Sequence, residues 1–302
     1  IKLAPAANWM FNLRMNSGER LYIWQADDWP QWRYVLSALT GPLTDVTGLA
    51  VGSSHNCAVL ADATAACWGY NGGHRLGDGT TTDSHRPVTV SNPEGTGPLS
   101  GVVQVGAGMG HSCAVLADTT ARCWGHNSQG ELGDGTESIR LLPVTVTNET
   151  GSGPLTSIAQ ISLGEGRTCA LLTSGQVRCR GEGRPLPMAV SNPSNTGPLT
   201  DVTAVAVGDD HACALLGSGQ VACWSGTGSG PEFPTVVSDP SGTGPLSGVT
   251  SIAVDSDRTC VGFAVGTAAC WGDPPIGDGT AEARAVPTLG AGPETAADVT
   301  VG

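Results

Sequence analysis

Ten cysteines recur as five pairs, Cys57/Cys67, Cys113/Cys123, Cys169/Cys179, Cys213/Cys223 and Cys260/Cys270, with the members of every pair ten positions apart. Three chemistries are open to them: zinc ligation, redox exchange and structural cross-linking. Zinc sites use C-x(2–4)-C knuckles and redox sites use C-x-x-C, and neither spacing occurs. Between the members runs a short apolar strand, a turn of small or polar residues and a second short strand. In a hairpin centred on Asp62, positions 57 and 67 face each other, close enough to bridge if they form a non-hydrogen-bonded pair. The spacing and even count predict five local structural disulfides. Disulfides at this density imply an oxidising compartment: secreted, periplasmic or at the cell surface.

A second set of reactive residues stands two positions before each first cysteine: His55, His111, Arg167, His211 and Arg258. In one reading they ring a channel mouth and bind an anion or acidic peptide, more tightly as the histidines protonate. In the other, each hydrogen-bonds the loop backbone of its own repeat and fixes the turn. Residues recurring once per repeat stand apart around an axis, so they do not converge on a metal ion. Leu-Gly-Asp-Gly-Thr at 76–80 and 132–136, and Ile276-Gly-Asp-Gly-Thr280, offer one carboxylate each. A calcium loop needs several donors, and Asp-Gly reads more simply as a tight turn. Gly106-Ala-Gly-Met-Gly110 precedes a hairpin rather than a helix, which disfavours a dinucleotide site. Asn148-Glu-Thr150 is a glycosylation sequon, meaningful only in a eukaryotic secretory route. Asp209/Asp210 and Asp255/Asp257 occupy similar repeat positions, which keeps a carboxylate pair of the glycosidase type open. No nucleophile elbow, His-Glu-x-x-His or kinase motif occurs.

The elements that position these groups follow from composition and repeat. The 302 residues carry a net charge of −13, only 14% are charged, and 44 are Gly and 20 Pro. Helix breakers at this density argue against a mainly helical protein, and the acidic balance argues against nucleic acid. No run of 18 apolar residues exists to span a membrane. Ile1-Lys-Leu-Ala-Pro lacks a starter Met, so the chain reads as a processed or partial product. Gly-Pro-Leu recurs at Pro42, Pro98, Pro154, Pro198 and Pro245, in steps of 56, 56, 44 and 47, and the first cysteines advance by the same steps. Periods of this size indicate solenoids or propellers. Each unit reads as four strands: an apolar strand such as 202–207, a Gly-x-x-His turn into the Cys hairpin, a Gly-rich loop and a last strand such as 87–90. Four short antiparallel strands make one propeller blade, so the fold class is all-β and the architecture a β-propeller. Trp68, Trp124, Trp224 and Trp271 follow a cysteine and point away from the disulfide, as core between blades.

The segments Cys57-Ala-Val-Leu…Cys67-Trp-Gly-Tyr-Asn…Leu76-Gly-Asp-Gly-Thr80 and Cys113-Ala-Val-Leu…Cys123-Trp-Gly-His-Asn…Leu132-Gly-Asp-Gly-Thr136 resemble the regulator of chromosome condensation repeat, and especially its bacterial form with paired cysteines. The resemblance runs over about residues 44–290 and weakens where Arg180 replaces Trp, where Ser225 follows Trp224, and where units three and four lack Leu-Gly-Asp-Gly-Thr. It implies a propeller, usually of seven blades. We expect a single domain over 1–302, with five repeats at 41–297. Residues 1–40 and the closing strand at 298–302 would jointly build a sixth blade if the chain is complete, with seven if it is a fragment. Ring closure of that kind removes two sheet edges. Tyr22–Tyr34 is similar to the start of the N-terminal region of some Fic-family proteins; the catalytic signature of that family is absent, and a divergent blade with an aromatic loop is the reading preferred here. Trp29 and Trp32 in that stretch mix with charge as contact surfaces do.

These readings combine into a secreted or surface-exposed binding propeller that presents loops to a protein or surface glycan, with no cofactor, no metal and no catalytic role. A structural subunit of a surface assembly or filament, through self-assembly, and a glycan-acting enzyme are the alternatives. Some relatives exchange nucleotide on a nuclear GTPase, which conflicts with an oxidising compartment; a similar bacterial propeller inhibits β-lactamases. Protein prepared without reductant should show no reactive thiol in a denaturing thiol titration, whereas ten thiols would remove the disulfide framework and its compartment together.

Overall fold

The computed structural model describes residues 43–225, 233–272 and 284–289. They form five four-stranded antiparallel sheets, each built from four consecutive strands paired in chain order. The first sheet contains β1 (Val46–Val51), β2 (His55–Leu60), β3 (Ala65–Gly69) and β4 (Ser84–Thr89). The second contains β5 (Val102–Ala107), β6 (His111–Leu116), β7 (Ala121–Gly125) and β8 (Arg140–Thr145). The third contains β9 (Ile158–Leu163), β10 (Arg167–Leu172), β11 (Val177–Gly181) and β12 (Arg184–Ala189). The fourth contains β13 (Val202–Val207), β14 (Ala212–Leu216), β15 (Val221–Trp224) and β16 (Thr235–Val236). The fifth contains β17 (Val249–Val254), β18 (Arg258–Phe263), β19 (Ala268–Gly272) and β20 (Arg284–Leu289). These are the blades of a propeller, as the repeat predicts. The expected joint blade of 1–40 and 298–302, together with Trp29 and Trp32 and the turn at 276–280, lies outside the described residues.

The middle hairpin of every blade places its two cysteines directly opposite one another. Their Cα atoms are 4.0–4.1 Å apart, the close spacing of a non-hydrogen-bonded pair, and all five pairs are bridged. In the first two blades the hairpin turn is fixed by a side chain: Asp62 accepts from Thr64 N at 3.0 Å and Asp118 from Thr120 N at 3.0 Å.

The core lies between blades. Cys57, Val59, Cys67, Leu76 and Val90 of the first blade pack against Val102, Val105, Ala114 and Trp124 of the second, with Leu99 of the connection inserted between them. The same arrangement repeats at the next three interfaces, where Leu155, Leu199 and Leu246 take the place of Leu99. The Gly-Pro-Leu motif is thus a delivery device. Pro98, Pro154, Pro198 and Pro245 pair in short bridges with Ser91, Thr147, Ser191 and Ser238, and each following leucine drops into the interblade seam. Trp124 and Trp224 are buried against the preceding blade as predicted and the partly buried Trp271 packs likewise, whereas Trp68 packs on Leu43 and on Val46, Leu49 and Ala58 of its own blade.

Two glutamines tie neighbouring first strands. Gln104 donates to Ile161 O at 3.2 Å and accepts from Ile161 N at 3.1 Å, and Gln160 does the same with Val205 at 3.0 and 3.1 Å. A side-chain amide serves here as a rung of backbone, satisfying strand-edge groups that would otherwise stay unpaired.

The Leu-Gly-Asp-Gly-Thr loop is a turn, as its Asp-Gly suggests. Asp78 accepts from Thr80 N and Asp134 from Thr136 N, both at 3.0 Å. Its first glycine lies flat beneath the side chain that follows the second cysteine of the next blade. A Cβ on Gly77 would stand 2.6 Å from Trp124 Nε1, and one on Gly133 would overlap Arg180 Cδ, with φ at +66° and +70°. Gly77→Ala and Gly133→Ala should each cost about 2–4 kcal/mol in urea unfolding, from overpacking added to left-handed strain. Gly101→Ala, at φ +72° but with nothing within 4 Å of its Cβ, should cost about 1–2 kcal/mol. Equal losses at all three positions would refute the packing argument.

Candidate functional site

The recurring polar residues converge on the seams. His55 Nε2 lies 2.7 Å from Ser112 Oγ of the next blade, and Ser112 Oγ donates to Arg75 O, back in the first blade, at 2.8 Å. The second seam repeats this: His111 Nε2 lies 2.6 Å from Thr168 Oγ1, which donates to Glu131 O at 3.0 Å. Because each hydroxyl spends its one hydrogen on a carbonyl, the histidine must donate through Nε2, which fixes the neutral tautomer. His211 reaches Thr259 Oγ1 in the same way at 2.7 Å. At the third seam the corresponding position is Ala212, which has no hydroxyl, and Arg167 instead pairs with Glu182 of its own blade at 2.5 Å.

The same two carbonyls accept a second bond. Trp124 Nε1 donates to Arg75 O at 2.9 Å, and Arg180 Nε donates to Glu131 O at 3.0 Å. The arginine that breaks the Cys-Trp pattern therefore does the hydrogen-bonding work of the indole it replaces. In the sequence Arg180 reads only as a departure from the Cys-Trp pattern, and its register after the second cysteine is the one signal of the shared role. Asn71 and Asn127, also missed, organise the loops that carry these carbonyls. Both are fully buried, and their side-chain oxygens accept from Leu76 N at 3.1 Å and Leu132 N at 2.9 Å. Their amides donate to the carbonyls of Thr80 and Thr82 and of Thr136 and Ser138.

These contacts correct the expectation of an exposed cationic ring. His55, His111 and Arg167 are no more than 1% exposed, so they cannot meet an anion in solvent. The alternative, a bond to each residue's own loop backbone, is corrected as well, since the histidines reach across to the next blade. Burial, helped by the nearby Arg75 guanidinium, holds His55 down at about 3, and burial with Arg180 as the leading charge does the same to His111. His211 and Arg258 are partly exposed, and Arg258 pairs with Asp255 at 2.9 Å.

The turns between first and second strands form one loop face. The turn between the first and second strands of each blade presents Ser53-Ser54, Met109-Gly110, Glu165-Gly166, Asp209-Asp210 and Ser256-Asp257. In blades one to three the loop after the third strand joins the same face, because Tyr70 N donates to Ser54 O at 2.9 Å, His126 N to Gly110 O at 3.0 Å and Glu182 N to Gly166 O at 3.1 Å. Blades one and two contribute Tyr70 and Met109, 51% and 47% exposed, with Arg75 stacked 4.9 Å over the Tyr70 ring. Blades three to five contribute Glu165, Asp209, Asp210, Asp255 and Asp257. Asp209 accepts from Ser256 Oγ at 2.7 Å, which links the fourth and fifth turns. Among the described residues no group of three or more His, Cys, Asp or Glu side chains could hold a metal.

The buried histidines tie stability to pH. Each folded-state value lies below the ordinary 6.5, so the unfolded chain binds more protons between about 3 and 6.5. Their contribution is complete above that window and is lost as pH falls through it. The urea midpoint should fall between pH 7 and 4, and His111→Gln, which keeps a donor without a titrating ring, should flatten that fall. An unchanged slope in the variant would show that carboxylates alone carry the dependence.

With this geometry in view, the comparisons with known proteins are specific. The family model described as the regulator of chromosome condensation repeat matches residues 67–115 and 123–171, and a second model of the same description matches 102–131 and 202–230. The first two windows begin at the second cysteine of one blade and end two residues past the first cysteine of the next, so this unit straddles a seam. The chain is 29% identical to the human E3 ubiquitin-protein ligase HERC2 over 131 residues, 43% of this chain and 3% of that protein. It is 35% identical to the Ultraviolet-B receptor UVR8 of Arabidopsis thaliana over 111 residues, 37% of this chain and 24% of the receptor. The chain thus spans under a quarter of the length of either curated relative. Among solved structures, human WBSCR16 superposes with a TM-score of 0.70 at 18% identity, covering 84% of this chain and 69% of that one. Yeast RCC1 (Prp20), solved bound to Kap60, superposes at 0.63 and 20% identity, covering 84% and 66%. At such identities the structures speak for the fold alone. Repeat match, paired-cysteine hairpins and propeller fold agree: over residues 67–171 and 202–230 the chain carries regulator of chromosome condensation repeats.

Proposed function

We propose that this chain is a non-enzymatic binding propeller, secreted or held at a cell surface, and that its loop face grips a protein partner. The carrying observation is the division of labour among its polar residues. The groups that recur in register, the histidines, seam hydroxyls and loop asparagines, are consumed in holding blades together. The residues that differ from blade to blade sit on one face and are open to solvent there. That face is apolar and aromatic over blades one and two, through Tyr70 and Met109, and acidic over blades three to five, through Glu165, Asp209, Asp210, Asp255 and Asp257. Tyr, Met and Arg are enriched where proteins meet. A partner matched to this face carries a basic patch beside an apolar one.

The relatives support the reading in kind. Yeast Prp20 was solved bound to Kap60, and a second Prp20 structure is described with its binding properties to Gsp1p and histones. The ligase named in HERC2 is not carried over, since the match spans 3% of that protein. The five disulfides favour an oxidising compartment, where such cross-links persist.

Immobilised protein should capture a partner from the native cell-surface fraction. Both Tyr70→Glu/Met109→Glu and Glu165→Lys/Asp210→Lys should weaken that capture about tenfold or more while leaving the unfolding midpoint in place. Glu94→Lys, in a connection between blades, should not. Equal capture by all variants, or capture of glycans with no protein, would overturn the proposal.

A further inference from the structure

Among the described residues, the disulfides of the first four blades each face the next blade, and the side chain after the next blade's second cysteine covers them. Trp124 covers Cys57–Cys67, Trp224 packs with Cys169–Cys179, and Trp271 packs with Cys213–Cys223. At the second seam the cover is Arg180. Its Nη2 lies 3.0 Å from Cys123 Sγ and 3.6 Å from Cys113 Sγ, its Nε is used on Glu131 O, and its Nη1 is buried without a hydrogen-bond partner. Elsewhere the groups near a sulfur are neutral hydroxyls, Ser112 Oγ at 3.8 Å from Cys57 Sγ and Thr259 Oγ1 at 3.7 Å from Cys213 Sγ.

Arg180 is fully buried, and among the described residues no carboxylate pairs with it. The groups packed around it are committed elsewhere. Asp134 accepts from Arg140 at 2.6–2.8 Å and from Thr136, while Glu131, 1% exposed, takes His126 Nδ1 at 3.0 Å and Gln129 N at 2.9 Å. His111 is buried and neutral. A guanidinium out of water with only a carbonyl and two sulfurs for partners is costly, and burial holds Arg180 down at about 9 against the pull of Asp134.

We propose that Cys113–Cys123 is a redox-responsive disulfide, reduced before the other four by a small dithiol, with Arg180 as the counter-ion of the Cys123 thiolate. One thiolate of the dithiol attacks Cys113 Sγ. A mixed disulfide forms, the Cys113–Cys123 bond breaks, and its electron pair leaves on Cys123 beside Arg180. The second thiol of the reductant then attacks its own sulfur in the mixed disulfide and releases Cys113. The reductant is oxidised by two electrons to its cyclic disulfide. Of its two protons, one goes to Cys113 and one to solvent, because Cys123 stays ionised. A cation at hydrogen-bonding distance lowers a thiol's pKa, and a low-pKa thiol is the better leaving group. Reduction therefore supplies the charge that the oxidised seam lacks. Exposure alone predicts a different order: Cys260 is 7% exposed and Cys270 partly exposed, whereas Cys113 and Cys123 are fully buried.

The test equilibrates the full chain with graded ratios of reduced to oxidised dithiothreitol, quenches with acid, alkylates free thiols and identifies them by peptide mass spectrometry. At pH 7.5, Cys113 and Cys123 should be alkylated first, at a reductant ratio about tenfold below that of the next pair. Converted to a reduction potential, which adds the dithiol's own two-proton dependence to the measured ratio, the midpoint of this pair should change with pH half as steeply as the others, since one proton is taken up rather than two. Arg180→Trp, the residue found after the other second cysteines, should abolish both the lead and the shallow slope, and Arg180→Lys should keep both. If neither variant folds, the slope in the wild-type chain decides alone. Reduction of Cys260–Cys270 first, loss of all five bridges in one step, or a two-proton slope at Cys113–Cys123 would overturn the assignment.

Discussion

Two backbone carbonyls, those of Arg75 and Glu131, hold the first three blades together. Each belongs to the loop after a third strand and accepts two bonds from the following blade, one from a seam hydroxyl and one from the long side chain after the second cysteine. A buried carbonyl has two lone pairs to satisfy, and here both are met from across the seam. The neutral histidines, the buried asparagines and the flat glycines all serve this arrangement. The histidine orients the hydroxyl, the asparagine holds the loop that carries the carbonyl, and the glycine lets indole or guanidinium lie against it.

The disulfides act at a different level. A four-stranded sheet with a short middle hairpin is marginal in isolation, and a bridge at its centre holds the hairpin before any neighbour packs on it. The bridge also supplies a flat apolar surface for the next blade. Cross-links inside blades and hydrogen bonds between them divide the structural task so completely that the turns at one end are left unconstrained by it. That freedom lets one half of the loop face be aromatic and the other acidic without disturbing the scaffold beneath.

Much of this was legible in the residues. The ten-position cysteine spacing gives the hairpin register, and the joint recurrence of Gly-Pro-Leu gives the blade. β13 occupies Val202–Val207, the segment read as a first strand. The role of His55 and His111 was not legible, because their partners Ser112 and Thr168 are 57 positions away and become neighbours only once blades stack. A residue that repeats in register looks the same whether it faces solvent or a seam. Nor did the pattern break at Arg180 declare itself as a substitution of one donor for another, since that equivalence depends on a carbonyl 49 positions earlier.

The shorter third period, a step of 44 in place of 56, removes the loop between β11 and β12, and β12 follows β11 through the two-residue turn Glu182-Gly183. The carbonyl that would anchor the next blade goes with it. Ala212 brings no hydroxyl to this seam, and Trp224 Nε1 is buried with no acceptor. This seam is held instead by its apolar cluster and by the Gln160 amide on Val205. The third and fourth blades therefore meet without the carbonyl anchor of the first two seams, and the blades that bear Tyr70 and Met109 stand on one side of that change while most of the acidic arc stands on the other.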